Sequence, residues 1–86
     1  MQTVKEWKRA AAEKAVIMDH VGDGVYSFTK VLIDMGDGHV ATGAGFCKVR
    51  PGDVWKDNVA LDKSRGRAIG NAIKALEEQV ARHESL

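Results

Sequence analysis

A single cysteine, a single proline, two tryptophans, one tyrosine and two phenylalanines are all that 86 residues hold of the residue types that often anchor small folds. Cys47 has no partner for an intramolecular disulfide, which points to a reducing compartment. With Pro51 the only proline and no low-complexity tract, extended disorder is not expected. No apolar run approaches the roughly 18 residues of a membrane span. The charged, amphipathic N-terminal stretch lacks the order of a signal peptide. The expected location is therefore the cytoplasm. Thirteen Lys and Arg against twelve Asp and Glu leave a net charge of +1, so any basic surface must be local. His20, His39 and His83 are scattered, and Cys47 has no neighbour at ligand spacing, so no metal set is expected. Asp34 to Gly38 lacks the alternating acids of a calcium loop. A thiol in an apolar strand with no base nearby is inert. The chain reads as non-catalytic and free of cofactors.

What the chain does contain is ordered punctuation within one domain spanning 1–86. Thr3-Val4-Lys5-Glu6 fits a capping box, and Val4, Trp7, Ala11, Ala15 and Met18 share a stripe at helical spacing. Residues 15–21 fit either a continuation of that helix or a first strand, since Val16-Ile17 is β-branched. Two Gly-Asp-Gly triplets, at 22–24 and 36–38, supply the positive φ angles that hairpin turns need. Between them Val25–Met35 reads as a strand, and His39–Val49 completes a hairpin with it. In the latter, Val40, Thr42, Ala44 and Phe46 share one face, and Ala41, Gly43, Gly45, Cys47 and Val49 the other. Two glycines on one strand face mean a close backbone approach, either a helix packed over them or the floor of a ligand or strand site.

Arg50-Pro51-Gly52-Asp53 is a turn by composition, and Asp53–Asp62 reads as irregular or as a short strand. A loop that long in a small domain is more often functional than filler. The last helix is predicted to start at an Asp62 or Ser64 N-cap. Its predicted buried stripe is Ile69, Ile73, Leu76 and Val80, with Arg67, Asn71, Lys74, Glu78 and Arg82 opposite. Gly66 and Gly70 cost up to ~1 kcal/mol each against alanine inside a helix, so a strand or a second copy of the chain is expected close by. The expected class is α+β: an N-terminal helix, a two- or three-stranded antiparallel sheet, and a long C-terminal helix on one sheet face. The thin core of so small a domain favours a homo-oligomer.

Polar chemistry concentrates at the start of the last helix. Lys48, Arg50, Lys56, Lys63, Arg65 and Arg67 stand there against Asp53, Asp57 and Asp62. A helix N-terminus favours phosphate. Arg65 falls nearest the buried stripe, where it either pairs with an acid such as Asp53 or Asp57 or grips a ligand phosphate. Lys63 and Arg67 read first as solvated surface and second as ligand contacts. Trp55 is either a lid on the core or a stacking platform beside Arg50 and Lys56. The candidate ligand-binding residues are thus Arg50, Trp55, Lys63, Ser64, Arg65 and Arg67.

Residues 40–76 resemble a pattern in small phage proteins. Gly45-Phe46-Cys47, Pro51 and Asp53 precede Leu61-Asp62-Lys63-Ser64-Arg65-Gly66-Arg67-Ala68-Ile69, much as a glycine-containing strand ending in cysteine precedes an Asp-Lys-x-x-Gly-Arg helix start in those proteins. Some are phage anti-defence proteins that sequester the cyclic nucleotide signals of the Thoeris system. That resemblance implies an oligomeric binding protein in the host cytoplasm, taking a phosphorylated nucleotide or a host defence protein. The chain departs from the pattern at Gly70, where alanine is favoured, and at Ile73, where arginine is common. A second resemblance is topological. A helix, a hairpin and a final helix opening on Lys63-Ser64-Arg65-Gly66-Arg67 look like a double-stranded-RNA-binding domain, although the Lys-Lys-x-Ala-Lys of that family is missing. It implies nucleic acid as the alternative partner, bound by the same cations. Neither resemblance implies a membrane.

Overall fold

Thr3 opens the first helix as its sequence predicts: its Oγ1 accepts from the Glu6 amide at 3.1 Å. The computed structural model describes residues 3–84. Helix α1 runs Val4–Glu13, followed by strands β1 (Val16–Gly22), β2 (Tyr26–Asp34) and β3 (Val40–Lys48) and helix α2 (Asp57–Glu84). The strands form one antiparallel sheet in the order β1-β2-β3. Residues 15–21, open between helix and strand in the sequence, leave the helix at Lys14 and enter β1. Met18 is therefore a strand residue and does not extend the stripe of α1.

Both Gly-Asp-Gly triplets make their turns. Gly24, Gly36 and Gly38 have φ of 91°, 79° and 93°. Asp23 Oδ1 accepts from the amides of Val25 (2.9 Å) and Tyr26 (2.7 Å), and Asp37 Oδ1 from that of His39 (3.0 Å). These amides hold both carboxyls below the ordinary aspartate range, the Tyr26 amide leading for Asp23 and the His39 amide for Asp37.

The fold is α+β, with α2 packed along β2 and β3. The glycine face of β3 is what lets it lie so close. A Cβ at Gly43 would run into the Ala68 carbonyl and Ala72 amide nitrogen and come 2.9 Å from Ala72 Cα. One at Gly45 would strike the Ser64 carbonyl and lie 2.8 Å from Arg67 Cβ. Of the two sequence readings of that face, the tightly packed helix is the one the fold adopts.

Close approach also moves the helix's buried stripe. Ala60, Ser64, Ala68, Ala72 and Leu76 are buried, while Ile69, Ile73 and Val80 lie half-buried at the flank. The expected stripe gave the inner positions to the largest apolar residues. Leu76 keeps its expected inner place, but beside Gly43 and Gly45 backbone-to-backbone packing gives the inside to the small residues Ser64, Ala68 and Ala72. The predicted N-cap is corrected too: α2 starts at Asp57, five residues before Asp62, because Asn58-Val59-Ala60-Leu61 contains no breaker and Ala60 has core to fill. The irregular stretch shrinks to Val49–Lys56. Among the described residues nothing beyond the helix's own backbone lies within 4 Å of a Cβ built at Gly66 or Gly70, so the close strand predicted for them is not part of this fold.

The core is accordingly thin: Ala11, Val31, Ile33, Ala41, Ala68, Ala72 and Leu76. Beside it sits a buried hydroxyl cluster. Ser64 donates back to the Ala60 carbonyl at 3.0 Å and accepts from Thr29 (2.6 Å) and Ser27 (2.9 Å). His20 Nδ1 lies 3.0 Å from both the Phe28 carbonyl and Thr29 Oγ1. A carbonyl only accepts, so Nδ1 carries the proton. All three hydroxyl residues are fully buried and none of these groups is left unpaired.

Candidate functional site

Three surfaces compete for a role: the edges of the sheet, the region at the start of α2, and the sheet face that no helix covers.

The edges are blunted by different devices. Along the outer edge of β3, α2 sends three side chains to alternate carbonyls: Arg67 to Phe46, Asn71 Nδ2 to Ala44 (2.7 Å) and Gln79 Nε2 to Val40 (2.7 Å). Four helical residues rise about 6 Å, nearly the length of two strand residues, so the two elements stay in step as they run antiparallel. Ala75 falls at the one position of the series that sends nothing to the edge. On the other side, β1 has a bulge between Ile17 and Asp19, which interrupts the regular ladder another strand would need.

At the start of α2 the sequence-predicted residues scatter. Arg65 is exposed and pairs with Asp62 at 3.3 Å, one helical turn away, and with neither Asp53 nor Asp57. Arg67 is the arginine that crosses to the sheet edge. Their roles exchange because the helix is rotated to put Ser64 and Ala68 inward. The Ser64 hydroxyl is inside the hydroxyl cluster and away from solvent. Trp55 is half-buried, lies against Gly22 and donates its Nε1–H to Asp57. Lys63 is exposed, as is Arg50, which opens a turn closed by the Asp53 amide on its carbonyl at 3.0 Å, with Gly52 at φ 91°.

Two depressions flank this region. One, of about 410 Å³, is lined by Cys47, Val49, Asp53, Val54, Lys56, Val59, Ala60 and Lys63. The other, of about 440 Å³, is lined by His20, Gly22, Trp55, Asp57, Asn58 and Leu61. Trp55 therefore stands apart from Lys63, and Arg65 and Arg67 line neither. Among the described residues no group of three His, Cys, Asp or Glu side chains is placed to hold a metal ion, and no helix is long and apolar enough to cross a membrane.

The third surface went unremarked in the sequence. Both helices contact the central strand β2, and the side chains of Tyr26, Phe28, Lys30 and Leu32 point away from α2 beside Val40, Thr42, Ala44, Phe46 and Lys48. Phe28 and Phe46 are directly opposite, with ring centroids 5.0 Å apart at 49°. In the next row Lys48 Nζ sits 5.5 Å from the centre of the Tyr26 ring. Phe46 is 60% exposed and Tyr26 50%. Val16 and Val21 of β1 extend the face, with Asp19 opposite Lys30. A signal for it existed: if the glycine face of β3 must lie under a helix, Phe46 must point the other way.

No protein-family model, curated protein or solved structure matches this chain.

Proposed function

We propose that this protein is a non-catalytic nucleic-acid-binding module that takes a single strand on the open sheet face. The reading is supported above all by the aromatics on the uncovered face: the helix side buries Val31, Ile33 and Leu76 among alanine, glycine and serine, while Tyr26 and Phe46 are at least half exposed and Phe28 lies half-buried against Phe46. Adjacent exposed aromatics offer successive bases a surface to stack on, and every base has a face that fits. Lys30 and Lys48 flank the rings within reach of the phosphates. Pairing with a second copy through this face is the competing use of an apolar patch. It fits less well. Three strands about 4.8 Å apart and some 30 Å long present roughly 400 Å² of flat area, half of what each partner of a standard interface buries. Lys30 would also be desolvated at the middle of the contact, where interfaces exclude charge.

The element order and the placement of both helices beside one sheet face also agree with the double-stranded-RNA-binding resemblance. The cations expected at the start of α2 do not converge here, so the duplex mode of that family is the weaker form of the idea. Sequestering a nucleotide signal would be a different use of the chain and needs none of the aromatic face.

Titrating labelled oligonucleotides at 50 mM and 200 mM salt tests the proposal. Single strands should bind more tightly than the matching duplex and weaken with salt, with a shallow slope from the few phosphate contacts. Equal affinity for duplex and single strand would reject it.

A further inference from the structure

The depression beneath the Val49–Lys56 loop is a separate matter from the open sheet face, and its composition is specific. It is lined by Val49, Val54, Val59, Ala60 and the buried Cys47, with Lys56, Lys63 and Asp53 as its charged members. Val54 is 80% exposed and Val59 41%, apolar surface that the fold leaves uncovered. Among the described residues neither lysine has an acidic partner, although Asp53 and Asp57 are close in sequence. The loop itself is not slack, since the Arg50–Asp53 turn is closed by its own hydrogen bond over Pro51-Gly52. At about 410 Å³ the space is in the range of small-molecule sites.

We infer that this depression binds a small organic anion: an apolar body against Val49, Val54 and Val59, with its carboxylate or sulfonate facing Lys56 and Lys63. Asp53 on the same lining disfavours a multiply charged head, so the class is a monoanionic amphiphile. A bare inorganic anion would leave the valines uncovered. A polyphosphate would meet Asp53 with only two lysines to offset it. The site lies on the helix side of the sheet, so it can be filled whether or not nucleic acid occupies the other face.

Decanoate and inorganic phosphate are the probes, followed by amide chemical shifts of the intact chain. Decanoate should give saturable, one-site shifts clustered on Val49, Val54, Val59, Ala60 and Lys63. Inorganic phosphate at the same concentration should give none there. Lys56→Gln and Lys63→Gln should each weaken decanoate about two- to fivefold, as expected for exposed ion pairs. Both lysines are exposed, so the melting temperature checks that the fold survives. Decanoate shifts centred on Phe28 and Phe46, phosphate that competes fully, or lysine substitutions without effect would each overturn the inference. The same variants should leave oligonucleotide affinity unchanged, which separates failure of this site from failure of the nucleic-acid reading.

Discussion

The two faces of the sheet use one backbone in opposite ways. On the covered face Val31 and Ile33 of β2 enter the core, Ser27, Thr29, Ala41, Gly43, Gly45 and Cys47 are small, and α2 comes down until its own backbone meets that of β3. On the open face, Tyr26, Phe28, Leu32, Val40 and Phe46 are large and meet no helix. A protein that needed only to fold would gain more by burying the large set, at about 25 cal/mol per Å² of apolar surface removed from water. The covered face adds to its small apolar core of Val31, Ile33 and Leu76 a close backbone contact, a satisfied hydroxyl cluster and side chains that seal the edge of β3. The difference assigns structure to one face, and the proposed reading gives recognition to the other.

The comparison can be broken most forcefully at the glycines. Gly43→Val should destabilise the fold by at least ~3 kcal/mol, because the added atoms meet helix backbone that cannot rotate aside. Thr42→Val, next door but on the open face, should change stability by no more than about 0.5 kcal/mol. Urea denaturation of the pair reads the contrast directly. If both were tolerated alike, α2 would not be seated on β3 as described.

Ser64→Ala comes next. It strips the acceptor that Thr29 and Ser27 share in a buried site, and should cost about 1–3 kcal/mol in the same assay. The edge follows. Asn71→Ala frees the Ala44 carbonyl to solvent and should cost about 0.5–1.5 kcal/mol. Removing Asn71 and Gln79 together should also let β3 edges pair, seen as self-association that grows with concentration in sedimentation.

The smallest effect is on the turns, which belong to neither face. Asp23 and Asp37 have carboxyls held lower in the fold than in the unfolded chain. Their stabilisation is therefore complete above the unfolded value near 4 and is lost as pH falls through the lower folded value. Asp23→Asn with Asp37→Asn keeps an acceptor oxygen at each turn but removes the titration. The double variant's melting temperature should fall less steeply below pH 4 than the parent's.

The element order was legible in the sequence because its signals are local. Thr3 and Glu6 mark a helix start, and Asp23 and Asp37 mark turns whose side chains bond amides two or three residues away. The glycine face of β3 was legible as well, since only a close neighbour explains Gly43 and Gly45 together. Side-chain roles on α2 were not, because a helical wheel weighs residues by size. Here the neighbouring strand has no side chains at Gly43 and Gly45, so Ala68 and Ala72 take the inside, and the rotation that follows exchanges Arg65 with Arg67. The open face was hidden for a related reason. Tyr26, Phe28 and Phe46 look like core residues until it is known that both helices lie on the same side.

The measurement that bears most directly on the division of labour between the faces is single-strand affinity of Phe46→Ala, read beside its stability. With Phe46 already 60% exposed, the substitution should cost only about 1 kcal/mol, the loss of its pairing with Phe28. Loss of one stacked base should weaken oligonucleotide binding about tenfold. A variant that melts early while binding as before would contradict the account, because Phe46 would then serve the fold and not recognition.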